Sequence, residues 1–401
     1  MSEEPYRPDI LSDALARTSA FTGVVRMRCT YEDFDAQMRS LTQLQGRGAH
    51  ELSRIAIPVT LAHENIHYIQ YNSCLYLIER MRRLDGMIAT LARASLKKEL
   101  DRATMARLRE QYRAFAQEMT VATGRYSVLQ ILESVAVIES IAALADLSGD
   151  ADAIVDTALE FYKHFPAPIY LQLITELRDE LGAMFIVHFF PLCAFRALQT
   201  SDPSRAFDDE VRGIREMSSI NWDMVMLAAP HRVFAPGFAE QWMNAFRGAT
   251  TRLIPRSWLK ATQAAILQAG PRAIDMLARP AHHLFFAYEH LALPDQQGAL
   301  GVAPLLMFNG GRGFLQGVLR EHDGVVTDLL HAEALWGAAL HILDPQPRHM
   351  TCTHFECPGY ATRLCWSAHG FDPKGNWQAC AFPDNFTQMF GRPPWDWREP
   401  A

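Results

Sequence analysis

A mainly α-helical fold with one small β-sheet is predicted for this 401-residue chain by three observations. Residues 58–79 and 127–147 form two long stretches, free of internal Gly and Pro, that open on helix-start signals. Beyond Ser148-Gly149-Asp150, prolines at 203, 230, 236, 255, 271, 280 and 294 punctuate a helical pattern and predict six to eight further helices. Only Gly23–Tyr31 and Arg54–Ile57 read as strand, which is enough for a small sheet.

Composition sets the class. Hydrophobic residues at 49% and charged residues at 21% are those of an ordinary globular protein with ample core for one large domain or two. A net charge of −7 argues against a nucleic-acid surface, which would be basic. Residues 1–13 are acidic and lack the apolar run of a secretory signal. The longest apolar run, Leu181 to Phe195, contains His188 and Pro191 and is too short to span a bilayer. The expectation is a cytoplasmic protein without a membrane span, whose seven Cys are thiols or metal ligands rather than disulfides.

In chain order, the 23–31 strand and the branched Arg54–Ile57 segment are expected to lie together beside the next element. That element is the helix begun near Pro58, a residue suited to a first turn. It carries His63-Glu64-Asn65-Ile66-His67. Residues four apart share a helix face, so His63 and His67 can offer two imidazoles to one metal ion. Glu64, one step round, then points at whatever the ion polarises. Residues 75–122 continue helical and charged, with an exposed helix over about 100–119 that Gly124 terminates. Ser127 and Gln130 form a capping box that starts the following helix. Apolar residues surround that helix on every side, which predicts full burial. Yet it carries Glu133 and Glu139, and a buried carboxylate needs a cation or a partner. Either a salt bridge to Arg or a metal ion meets that need, and either glutamate is a candidate third ligand.

The His-Glu-x-x-His pattern is that of zinc hydrolases, in which Glu is general base toward a zinc-activated water. With Glu133-Ser134-Val135-Ala136 on a distant helix, the chain resembles the gluzincin group of zincin metallopeptidases. The resemblance covers about a quarter of the chain, and it implies an α+β, zincin-like catalytic fold. It further implies zinc held by His63, His67 and Glu133, with Glu64 as the base. Ser134 departs from the Gly common at that place in the group, so Glu139 stays open as the alternative third ligand.

Three further features of the sequence bear on its chemistry. Asn309-Gly310-Gly311-Arg312-Gly313 lacks the preceding strand and following Lys of a phosphate loop and reads as a tight turn. Asp328-Leu329-Leu330-His331, with Glu64-x-x-His67, Glu133 and Glu139, could instead furnish a di-iron carboxylate centre in a helical bundle, an iron oxygenase or oxidase. That alternative leaves His63 unused. After residue 345 come Cys352, Cys357, Cys365 and Cys380 with His354 and His369, close enough for a second, structural zinc, or else a loop-rich cap with clustered Cys. Phe382, Phe386, Phe390, Trp395 and Trp397 are expected to hold this tail to the body.

The chain therefore divides into residues 1–150, a metal-binding catalytic region with the small sheet, residues 151–345, a helical region, and residues 346–401, a Cys/His-rich C-terminal cap. The expected function is zinc-dependent hydrolysis, most simply a metallopeptidase of narrow specificity acting on a protein or peptide. The alternatives are the di-iron enzyme and a catalytically silent, metal-binding zincin-like protein.

Overall fold

The structure is a computed structural model that describes residues 16–18, 25–27, 29, 31–41, 52–144, 150–163, 169–216, 305–309, 312–316, 335–340, 342–344 and 382–397. The described part is mainly α. Its helices are α1 (Tyr31–Leu41), α2 (Ala56–Ser73), α3 (Leu75–Leu96), α4 (Arg102–Gln117), α5 (Val128–Leu144), α6 (Ala151–Tyr162), α7 (Ile169–Leu181), α8 (Phe190–Ala197), α9 (Pro203–Arg215) and α10 (Phe382–Phe390). Four short strands, β1 (Ala16–Thr18), β2 (Val25–Met27), β3 (Leu305–Asn309) and β4 (Arg312–Gln316), pair in that order. β1–β2 and β3–β4 are antiparallel and β2–β3 is parallel.

Three expectations about strands are corrected. Arg54–Ile57 is no strand: residues 52–55 form a helical turn, and α2 starts at Ala56. Ile55 and Ile57 are buried there, so tertiary packing overrides the β preference of branched residues. The Ile57 N–H, one of the orphan donors of a helix start, is taken up by Gln37 Oε1 on α1 at 2.9 Å. Within Gly23–Tyr31 only Val25–Met27 is strand, and Tyr31 already opens α1. The glycine-rich stretch expected to lack a preceding strand does follow one, β3, and its last residues, Arg312 and Gly313, open β4.

The helix over 58–79 is interrupted where neither Gly nor Pro occurs. Cys74 is extended, with φ −94° and ψ 119°, and separates α2 from α3. The freed donors find partners on the α8–α9 turn: Leu75 N–H bonds Gln199 Oε1 at 3.0 Å and Tyr76 N–H bonds the Leu198 carbonyl at 3.0 Å. This interlock fixes the C-terminal end of α2, and with it the rotation of the helix that carries both histidines.

α4 matches the helix expected over 100–119, capped by Asp101, which accepts from Thr104 N–H at 2.7 Å. It is exposed on one side only, since Met105, Leu108, Tyr112 and Phe115 recur at helical spacing and are buried. The chain then turns through Gly124, where a Cβ would stand 2.6 Å from the Ser204 carbonyl oxygen. The predicted capping box is present: Gln130 N–H bonds Ser127 Oγ at 3.2 Å and Ser127 N–H bonds Gln130 Oε1 at 2.9 Å. Asp202 caps α9, with Pro203 in its first turn.

α5 is the centre of the molecule. It packs on α2, α6, α7, α8 and α9, and its Ile131, Ala136, Val137, Ile138 and Ile141 are fully buried. Between α7 and α8 the chain widens into a π-helical turn, Phe185–Phe189. Pro191 explains it: proline cannot donate to the carbonyl four residues back, so the ladder slips to the Phe190 N–H → Phe185 carbonyl bond. A second hydrophobic cluster joins the far half of α3 (Leu84, Ile88, Leu91) to α4, residues 335–343, and α10. There Phe386 meets Phe390 at a tilt and Trp397 packs edge-to-face with both, ring centroids lying 4.5–6.1 Å apart. Residues 217–304 and 345–381 lie outside the described residues, so the helices and the Cys-rich segment expected there do too.

Candidate metal centre

α2 and α5 face each other, and this contact builds the site. The i, i+4 spacing puts His63 and His67 on the α2 face that meets α5, with their Nε2 atoms 3.1 Å apart. From α5, Glu133 brings Oε2 to 3.3 Å from each of these nitrogens. All three side chains are buried. This is the group of His, Cys, Asp or Glu side chains that could share a metal ion among the described residues. Glu139 is fully buried on the same helix but lies outside the group. Six residues separate it from Glu133, about 9 Å along the helix axis.

The dimensions fit one tetrahedral ion. A cation bound at about 2.0–2.1 Å to imidazole nitrogen and carboxylate oxygen holds its ligand atoms about 3.3–3.4 Å apart. The observed triangle has edges of 3.1, 3.3 and 3.3 Å. Glu133 Oε2 is also buried without a hydrogen-bond partner, which is costly for a carboxylate unless a cation completes it.

Charge tells the same story. Burial disfavours a charged imidazole, yet the Glu133 carboxylate outweighs it and lifts His67 to about 9. Burial likewise pushes Glu133 up, and the two histidines override it and hold its carboxyl well below the usual range. The carboxylate and the two imidazoles thus favour positive charge at this point, whether a proton or a metal cation carries it.

The outward nitrogens of the imidazoles are engaged as well. His67 Nδ1 lies 2.8 Å from Gln70 Oε1, and Gln70 Nε2 donates to the Leu132 carbonyl at 3.2 Å. His63 Nδ1 lies 3.2 Å from the Tyr162 hydroxyl, itself 3.1 Å from Ser140 Oγ. Ser140 donates onward to the Val137 carbonyl at 3.0 Å. Burial raises Tyr162, helped by the charges of Glu64 and Glu133, so its phenol keeps its proton.

Glu64 is buried beside this cluster and is not one of its members. Its Oε2 accepts a 2.6 Å hydrogen bond from Thr18 Oγ1 on β1, and the same hydroxyl lies 2.8 Å from the Glu64 carbonyl oxygen. Its charge contributes to raising both His67 and Tyr162.

Neither a family model, nor a curated protein, nor a solved structure matches this chain. The site is thus read from its own atoms.

Tyr126, two residues before α5, turns away to donate its hydroxyl to Glu176 on α7 at 3.1 Å. Asp328 and His331, the second half of the di-iron alternative, lie outside the described residues, as do Cys352, Cys357, Cys365 and Cys380. Thr18, Gln70, Ser140 and Tyr162 carry no motif that would have marked them. Gln70 alone had a signal, its i+3 spacing from His67.

Proposed function

We propose that the protein is a mononuclear, zinc-dependent hydrolase that cleaves a peptide bond in a narrow set of substrates. His63, His67 and Glu133 hold the ion and Glu64 is the general base. The observation that carries this reading is the 3.1–3.3 Å triangle of Nε2, Nε2 and Oε2 atoms, with Glu64 beside it and outside it. Zinc in such a site supplies an acidified water and a polarised carbonyl.

The chain's own residues do the rest. Thr18 holds Glu64 Oε2, so the carboxylate is oriented and its other oxygen is left to take a proton from water and return it to the leaving amine. Burial of the three ligands supports narrow specificity, because only a segment that reaches into the body can meet them. Among the described residues no helix is long and apolar enough to cross a membrane. The di-iron arrangement requires Glu64 as a ligand beside His67 and leaves His63 idle, whereas the His63, His67 and Glu133 grouping among the described residues supports the zinc reading.

The test is elemental analysis of freshly purified protein, combined with mass-spectrometric screening of a peptide library. Zinc that His63→Ala removes, together with cleavage abolished by a chelator and restored by zinc, is the expected result. Two irons per chain, or zinc content unchanged by His63→Ala, overturns the proposal.

A further inference from the structure

We infer that Tyr162 and Gln70 are positioning residues that fix His63 and His67 as imidazoles protonated on Nδ1, with both Nε2 lone pairs turned to the centre. This rests on the metal-centre reading above and adds to it a requirement. An imidazole protonated on the wrong nitrogen points an N–H at the ion and cannot bind it.

Donor and acceptor accounting gives the assignment. The Leu132 carbonyl can only accept, so the Gln70 group that meets it at 3.2 Å is the amide NH2. The opposite end of the amide, the acceptor Oε1, therefore faces His67 Nδ1 at 2.8 Å, and the proton of that contact belongs to His67. The second chain is longer by one link. Ser140 Oγ sits 3.0 Å from the Val137 carbonyl, again a pure acceptor, so the serine proton lies there. Ser140 then has only lone pairs for Tyr162, and the phenol must donate to it across 3.1 Å. With its proton committed, the Tyr162 oxygen can only accept from His63 Nδ1 at 3.2 Å.

Both chains end on carbonyls of α5, at Leu132 and Val137, on either side of Glu133. One helix therefore supplies the third ligand and sets the orientation of the other two. Outer partners of this kind typically change metal affinity by about 10–100-fold.

Ser140 makes the test sharp because its path to His63 runs through Tyr162. Zinc affinity is measured by competition with a chromophoric chelator on the full chain, for wild type, Tyr162→Phe, Ser140→Ala and the double variant. Tyr162→Phe should weaken zinc about 10–100-fold. Ser140→Ala should weaken it too, because Tyr162 is then free to donate to His63 and turn its tautomer. In the double variant the Ser140→Ala effect should vanish, whereas a general packing defect would add. Gln70→Leu should weaken zinc, and Gln70→Glu, which keeps an acceptor for His67, should recover part of the loss. Long-range 1H–15N NMR of the zinc-loaded wild type should show a proton on Nδ1 of both histidines.

A proton on Nε2 with Nδ1 bound, or wild-type affinity in both Tyr162→Phe and Ser140→Ala, overturns the inference and leaves the metal centre standing. A wild-type chain that takes up no zinc overturns the centre and this inference together. Should Tyr162→Phe fail to fold, Ser140→Ala decides, since it removes a single oxygen atom.

Discussion

Glu64→Gln should keep its zinc and lose turnover by about 10²–10⁴-fold, the usual contribution of a general base. The amide is nearly isosteric with the carboxylate and its oxygen can still accept from Thr18 Oγ1, so β1 and α2 keep their contact. What it cannot do is hold a proton taken from water. Chelator competition measures the first half of the prediction and steady-state peptide cleavage the second. Loss of metal from this variant would show that Glu64 is a ligand, as the di-iron arrangement demands. Full activity with the amide would move the base to another residue.

Glu133→Ala should empty the centre, whereas Glu139→Ala should leave it loaded. Among the described residues only Glu133 brings a carboxylate within 3.3 Å of both Nε2 atoms, and its loss removes one of three proposed ligands together with the negative charge that would offset the ion. The cost in affinity should exceed the roughly 10–100-fold of an outer-shell partner. Glu133→Gln keeps the volume and guards against a packing artefact. Metal content per folded chain is the readout, because Glu139 is fully buried and its removal touches the core as well. If Glu139→Ala is the variant that empties the site, the third ligand has been misassigned.

Much of this centre was legible in the sequence because its signals are local. The His63–His67 spacing defines one helix face, the Ser127–Gln130 box fixes where α5 begins, and the all-round apolar pattern of α5 puts Glu133 inside. The choice between Glu133 and Glu139 was not legible, since it depends on how far α5 is slid along α2. Local reasoning failed wherever distant segments decide. Ile55 and Ile57 look like strand by residue type, and burial against α1 makes them helical. The break at Cys74 has no Gly or Pro to announce it, because its cause is the α8–α9 turn more than 120 residues away. Tyr162 reaches His63 across 99 positions, a contact that only the assembled α5–α6 pair creates.

The two hydrophobic clusters bear on how the molecule comes apart. α3 belongs to both, with Leu77 and Ile78 in the cluster around α5 and Leu84, Ile88 and Leu91 in the one closed by α10. His63, His67 and Glu133 sit on α2 and α5, the helices of the first cluster alone. Among the described residues the core therefore divides into two clusters strung on one helical beam, and each is expected to open at its own free energy. A bound ion stabilises by mass action only the unit that must open to release it. Heating should reveal two melting steps, of which zinc raises one and leaves the other where it was. A single transition that zinc shifts as a whole would mean that α3 is stiff enough to make the two units melt as one.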